Sequence, residues 1–220
     1  MRFPLVVFDL DGTLVDSRRD LADSANALLE ECGAAPHTEE AVGRMVGDGA
    51  ATLVARAFAA ASCPQPEDAL KRFLDIYNRR LLAFTKPYDG IAALLTALSG
   101  RTTLSVLTNK PIGATLEILE ALDLLRFFGP RVLGGDGPLP RKPDPAGLTR
   151  LVGLAGVSAQ DALLVGDSAV DWRTAHAAGT RACMARYGFG YEGFPTGDLR
   201  ADDLVIDRPS DLLTLLSTAG

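Results

Sequence analysis

The sequence predicts an α/β fold: a doubly wound parallel sheet with an all-helical segment inserted after its first strand. Three observations predict it. Short, continuous runs of Val and Leu recur along the chain, as in strands buried on both faces of a parallel sheet. Stretches with apolar residues at helical spacing separate those runs, which is the alternation of a doubly wound sheet. One long segment, residues 17–84, carries helical signals and no strand.

The first strand is Leu5-Val6-Val7-Phe8, ending at Asp9. The insert opens with Ser17 and Asp20, spaced like a capping box, followed by Leu21, Ala25, Leu28 and Leu29 at helical spacing. Further helices are expected after Thr38, Gly49 and Pro66. Pro87-Tyr88-Asp89-Gly90 reads as the return hinge. This divides the chain into a core of residues 1–16 and 87–220 and a helical domain of residues 17–86. In the returning half, Ile91, Leu94, Leu95 and Leu98 mark a helix, and Leu104-Ser105-Val106-Leu107 a strand that ends in Thr108-Asn109. Pro111 suits the first turn of a helix over 115–122. Asp144-Pro145 offers an N-cap with proline at the first helical position. Leu163-Leu164-Val165 is a third strong strand, ending in Gly166-Asp167, and residues 169–178 form a helix stopped by Gly179. Weaker strand runs lie at 131–133, 181–185 and 204–206.

Composition limits the function. The 220 residues include 22 basic and 28 acidic ones, a net charge of −6 with no basic run, so nucleic acid and anionic membrane are poor partners. No apolar run approaches the roughly 18 residues of a spanning helix. Met1-Arg2-Phe3-Pro4 leads straight into a strand, not into a signal-peptide core. Cys32, Cys63 and Cys183 are odd in number and far apart, which fits a reducing, cytoplasmic setting. His37 and His176 are the only histidines, which argues against a histidine-built metal site or triad.

The three strongest strands end in Asp9, Thr108 and Asp167, and parallel strands present these ends on one rim, where open α/β sheets bind ligands. Asp9 and Asp11 stand at i and i+2 of an extended segment and so point the same way. Gly12 permits a sharp turn and a close backbone approach. Asp167 and Asp171 bring further carboxylates. Like charges about 4 Å apart repel by roughly 4 kcal/mol at an effective dielectric of 20, so such a cluster calls for a cation. Hard oxygens without His or Cys favour Mg²⁺. Lys142 adds positive charge if its loop reaches the same rim. Taken singly, each residue has a plainer reading: a turn aspartate, a strand-end threonine, a solvated lysine, a helix-start aspartate.

Together these residues resemble the haloacid dehalogenase superfamily. Asp9-Leu10-Asp11-Gly12-Thr13 is similar to its DxDxT motif, Thr108 to its second motif, Lys142 to its third, and Gly166-Asp167-Ser168 with Asp171 to its GDSxxD motif, all in the family's order. The insert resembles the family's helical C1 cap on a Rossmann-like core. The resemblance implies a phosphatase of a small phosphorylated metabolite. Asp9 is then the nucleophile that forms an aspartyl-phosphate, and Asp11 the acid and base. Gly12, Thr108, Asn109 and Lys142 serve the phosphate. Asp9, the backbone carbonyl of Asp11, and Asp167 hold Mg²⁺, and Asp171 supports Lys142 or a metal-bound water. A second aspartate at Asp11 separates phosphate chemistry from dehalogenation, whose leaving halide needs no proton.

Segments at 16–22, 46–50, 107–111 and 166–179 are similar to the phosphoglycolate phosphatase family, which implies 2-phosphoglycolate as substrate. Gly147 and Trp172 depart from that pattern. A sugar-phosphate phosphatase or phosphomutase of the same superfamily is the alternative, and a non-catalytic phospho-acceptor or binding protein the remote one. Arg44, near Val46-Gly47-Asp48-Gly49, is a candidate contact for a substrate carboxylate. Residues 187–195 read as a surface loop, Trp172 as packing and His176 as a solvated helix residue. No sequence feature separates a monomer from a homodimer.

Overall fold

The structure, a computed structural model, describes residues 3–217. Its strands, in chain order, are β1 (Leu5–Phe8), β2 (Val15–Asp16), β3 (Lys86–Pro87), β4 (Thr103–Leu107), β5 (Val132–Leu133), β6 (Ala162–Gly166), β7 (Arg181–Ala185) and β8 (Leu204–Ile206). The helices are α1 (Arg18–Glu31), α2 (Glu39–Gly43), α3 (Ala50–Ala60), α4 (Ala69–Asn78), α5 (Ile91–Leu98), α6 (Ile112–Ala121), α7 (Ala146–Ala155), α8 (Ala169–Ala177) and α9 (Pro209–Ser217). Six strands form one parallel sheet in the order β5-β4-β1-β6-β7-β8, while β2 and β3 pair antiparallel. The doubly wound α/β fold is therefore the one predicted.

Burial on both faces explains the continuous apolar strands. On β1, Leu5 and Val7 pack into a cluster with Leu148 and Leu151 of α7, whereas Val6 and Phe8 join the larger cluster on the other face. Register then places the rim. Phe8 pairs with Val106 of β4 on one side and Val165 of β6 on the other. The residues beyond these strand ends are Asp9, Thr108 and Asp167, so the central strand and its two neighbours deliver them to one edge. Gly147, unexpected in sequence, lies tight against Leu107: a Cβ there would come within 2.7 Å of Leu107 Cδ1.

Helices α1 to α4 all lie between β2 and β3 in the chain, with no strand among them. Residues 15–16 and 86–87 run side by side as the outgoing and returning connections. The predicted capping box at Ser17 and Asp20 is absent. Ser17 makes no side-chain cap bond to α1; its Oγ donates instead to Asp11 Oδ1 at 2.5 Å. Asp20 is fully buried and accepts from Phe84 N, Thr85 N and Thr85 Oγ1. Both side chains face inward, where a tertiary partner outcompetes the local cap. Asp20 thus ties the first helix to the chain returning from the insert. Asp20→Ala strips the acceptor from two backbone N–H groups and is expected to destabilise the fold by about 2–4 kcal/mol in urea unfolding. A change under about 0.5 kcal/mol, the range of ordinary surface substitutions, would remove that role.

Three other expectations change. The N-cap of α7 is Pro145, one residue later than predicted, although Asp144 Oδ1 still accepts from Ala146 N at 2.8 Å. His176 is not a solvated helix residue: its side chain is 11% exposed and Nε2 lies 2.9 Å from Asp203 Oδ1. Trp172 packs edge-on against it and donates Nε1–H to Asp203 Oδ2. Residues 187–195 do not simply cover the surface. Phe189 and Phe194 are buried, Tyr187 OH donates to Thr13 O, and Gly190 N donates to Asp167 Oδ2.

Candidate active site

β1 ends at Asp9, whose carboxylate is buried. Gly12, at φ +86°, turns the chain sharply after Asp11, and any Cβ there would fall on the Asp167 carboxylate. A Cβ on Gly188, from the loop after β7, would likewise collide with Asp167 and with the Gly12 carbonyl. Two glycines therefore cradle Asp167, and the second comes from the loop expected at the surface.

Lys142 reaches the rim. Its Nζ is 2.8 Å from Asp9 Oδ1 and 2.6 Å from Asp171 Oδ1, and all three side chains are nearly inaccessible. Burial opposes the ammonium, but Asp171 and Asp9 outweigh it and hold the lysine above its ordinary range. Asp171 has a second task, closing a capping box with Ser168 at the start of α8. Asp171 thus both starts α8 and anchors the Lys142 ammonium.

Oxygens of Asp9, Asp167 and Asp171 lie within 4.8 Å of one another. Burial, tempered by Lys142, pushes Asp9 up to about 7. Burial and the neighbouring Asp171 and Asp9 also push Asp167 well above the carboxylate range. Asp9 Oδ1 shares the Lys142 ammonium with Asp171 Oδ1, at 2.8 and 2.6 Å. Three carboxylates facing one ammonium leave negative charge uncompensated. The hard-oxygen donor set and the glycine cradle fit a bound metal cation, and this group could hold one.

The Asp11 side chain lies outside that cluster. Its two oxygens take Lys110 Nζ at 3.1 and 3.0 Å, and Oδ1 also takes the Ser17 hydroxyl. Lys110 is buried, and although burial opposes its charge, Asp11 holds it above its ordinary value. Thr108 is buried and accepts from Lys110 N through Oγ1. The Asn109 amide bridges segments: Nδ2 donates to Gly47 O and Lys142 O, and Oδ1 accepts from Lys142 N. It thus fixes the Lys142 loop and joins it to the insert.

Asp9, Asp11, Thr108, Asn109 and Lys110 line one side of a cavity of about 50 Å³. Side chains of the insert, Leu21, Val46, Leu53, Phe73, Leu74 and Tyr77, line the other. Arg44 is not among the lining residues; it is exposed and pairs with Glu192 at 3.3 Å. The sequence reasoning missed Lys110, Tyr77 and Ser17. A lysine two residues beyond the rim Thr108 was the available signal for the first. Nothing in the spacing signals the other two, because their partners lie far along the chain.

A parallel sheet with a carboxylate-and-lysine rim, interrupted after its first strand by helices that roof the rim, is the design of one class of α/β hydrolase. The profile of the haloacid dehalogenase-like hydrolases matches residues 6–185, and the chain belongs to that family. It is 47% identical over 196 residues to phosphoglycolate phosphatase of Rhodospirillum rubrum, covering 85% of this chain and 81% of the relative. It is 38% identical over 223 residues to phosphoglycolate phosphatase 1 of Pseudomonas aeruginosa, covering 98% and 80%. A crystal structure described as a predicted phosphoglycolate phosphatase from Haemophilus somnus superposes with a TM-score of 0.89 at 32% identity, over 98% of both chains.

Proposed function

We propose that this chain is a Mg²⁺-dependent phosphatase that hydrolyses 2-phosphoglycolate, a small phosphorylated metabolite, through an aspartyl-phosphate on Asp9. The observation that carries the reading is the pair Asp9 and Asp11 at one cavity, the first beside Lys142 and the second apart from the carboxylate cluster. Relatives that span most of the chain bear that activity in their names.

A carboxylate oxygen of Asp9 attacks phosphorus, the new P–O bond forms, and the bond to the leaving oxygen breaks as Asp11 gives that oxygen a proton. A water then attacks the phosphoryl group, Asp11 takes its proton, and the P–O bond to Asp9 breaks to release orthophosphate. Lys142 offsets the charge of nucleophile and phosphoryl group, with Asp171 fixing its position. Thr108 and the backbone N–H of Asn109 hold phosphoryl oxygens, and Asn109 also sets the Lys142 loop; Gly12, expected to serve the phosphate, instead donates its N–H to Val15 O at 2.9 Å and shapes the turn. Bound at Asp9, Asp167 and the Asp11 carbonyl, Mg²⁺ would neutralise charge on the transferring phosphoryl oxygens.

Residues 17–86 act as a cap in this reading. They roof the site with apolar side chains, which excludes bulk water and favours a small leaving group over a sugar ring. The cysteines are free, which supports a reducing compartment, and we place the enzyme in the cytoplasm.

The test is phosphate release with Mg²⁺ across 2-phosphoglycolate, hexose and pentose phosphates, nucleotides and pyrophosphate. A preference for phosphoglycolate of about tenfold in kcat/KM, or 1.4 kcal/mol, supports the substrate. A sugar phosphate on top discards the substrate and keeps the chemistry. Asp11→Asn is expected to lower kcat by about 10²–10⁴-fold on esters with poor leaving groups, and less on p-nitrophenyl phosphate, whose leaving group needs no proton. Equal losses on both would remove the acid role.

A further inference from the structure

Lys110 is a buried cation that the phosphate chemistry does not use. It lines the cavity from the core side, with Nζ on the Asp11 carboxylate and 4.5 Å from the centre of the Tyr77 ring. Tyr77 comes from α4 and closes the cavity from the other side. Its hydroxyl is buried and, among the described residues, finds no acceptor for its proton. Burial raises the phenol to about 12, so it remains a proton donor at neutral pH. A buried donor without an acceptor is costly, and it marks a place where a ligand supplies one.

What ligand group fits follows from charge. Lys142 is committed to Asp9 and Asp171. The residues lining the cavity from the insert are apolar apart from the Tyr77 hydroxyl. Lys110 is the one cation among the residues that line the cavity, and Tyr77 brings a second donor beside it. An ammonium and a hydroxyl facing an otherwise apolar pocket recognise a carboxylate. Position agrees. The oxygen that Asp11 serves must lie within hydrogen-bond reach of its carboxylate. Lys110 Nζ touches that same carboxylate, so a carboxylate one carbon removed from the ester oxygen falls beside Nζ.

We propose that Lys110 and Tyr77 form the recognition site for a carboxylate carried by the leaving group, and that this carboxylate draws Lys110 away from Asp11 on binding. The proposal rests on the phosphatase reading above and assigns its specificity to two residues. Selection by this device is conditional: a neutral ester leaves Lys110 on Asp11, so the acid–base group stays engaged. An α-carboxylate, as in 2-phosphoglycolate, replaces Asp11 as the partner of the ammonium and frees Asp11 to face the leaving oxygen.

The experiment compares kcat/KM for 2-phosphoglycolate with that for 2-hydroxyethyl phosphate, which has a neutral group in place of the carboxylate, using the full-length enzyme with Mg²⁺. Wild type is expected to prefer phosphoglycolate by about 100-fold. Lys110→Met should bring this ratio near one, with most of the loss in KM for phosphoglycolate, and Lys110→Arg should recover part of it. Tyr77→Phe should lower the ratio by about tenfold. Because the readout is a ratio within each variant, a general loss of folding or turnover cancels. A wild-type ratio retained in Lys110→Met overturns the proposal, even if both activities fall. A flat ratio in wild type, with activity that Asp9→Asn abolishes, also overturns it and leaves the phosphatase standing. Absence of any Asp9-dependent phosphate release removes the phosphatase reading, and the carboxylate site with it.

Discussion

Asp9→Asn is expected to abolish phosphate release, with kcat lower by about 10⁴-fold or more, because an amide oxygen cannot form the covalent intermediate. Stability should move the other way. Burial raises Asp9 from 3.8 to about 7, so the folded chain holds this proton more tightly than the unfolded chain does. The stabilisation is fully present below about pH 4 and is lost as the pH rises through about 7. Asparagine stays neutral throughout and escapes that loss. In EDTA, therefore, the Tm of Asp9→Asn should match wild type near pH 4 and exceed it by pH 8. Mg²⁺ should raise the wild-type Tm more than that of the variant. Turnover within tenfold of wild type would sink the nucleophile, and parallel Tm profiles in EDTA would sink the electrostatic account.

Lys142→Met should damage both properties at once. Among the described residues, this ammonium is the one cation paired with Asp9 and Asp171, and the three side chains are at most 8% exposed. Removing one partner of a buried ion pair costs about 3–5 kcal/mol, because the remaining charge loses compensation. Loss of a positive group at the developing phosphoryl charge should lower kcat by about 10²–10³-fold. The two effects separate in the double variant Lys142→Met/Asp171→Asn. The second change removes a stranded charge while its amide keeps an acceptor for the Ser168 cap, so chemical denaturation should show stability recovered and assays should show activity still low. If Lys142→Met alone unfolds at the wild-type urea midpoint, the buried triad contributes nothing to the fold.

Much of this was legible along the chain. Strands such as β1 and β6 announce themselves because both faces are buried, which leaves an unbroken apolar run. The weaker runs at β7 and β8 also form where expected: β7 pairs with the strong β6, and β8 is added at the sheet edge against β7. The rim residues Asp9, Thr108 and Asp167 were legible because a parallel sheet brings strand ends together whatever lies between. Ser17 and Asp20 misled for the opposite reason. Their spacing satisfies a local rule, but both are buried, and buried polar groups take the best partner in space rather than the nearest in sequence. The loop at 187–195 was read as surface because glycines and aromatics are ambiguous. Packing of Gly188 and Gly190 on Asp167 is a contact between strands' loops that no local pattern encodes.

By itself the sequence determined the α/β class, the place of the helical insert, the family resemblance and the acidic residues and lysine at its centre. These depend on periodicity and on motif order, which are properties of short segments. Tertiary structure alone decided which carboxylates share a site, and that Asp11 stands apart from them with Lys110 and Ser17. It also decided that Tyr77, from the insert, closes the same cavity. Those are pairings between residues distant in the chain, set by how the insert folds back over the rim, and charge neutralisation in a buried site is a property of such pairings.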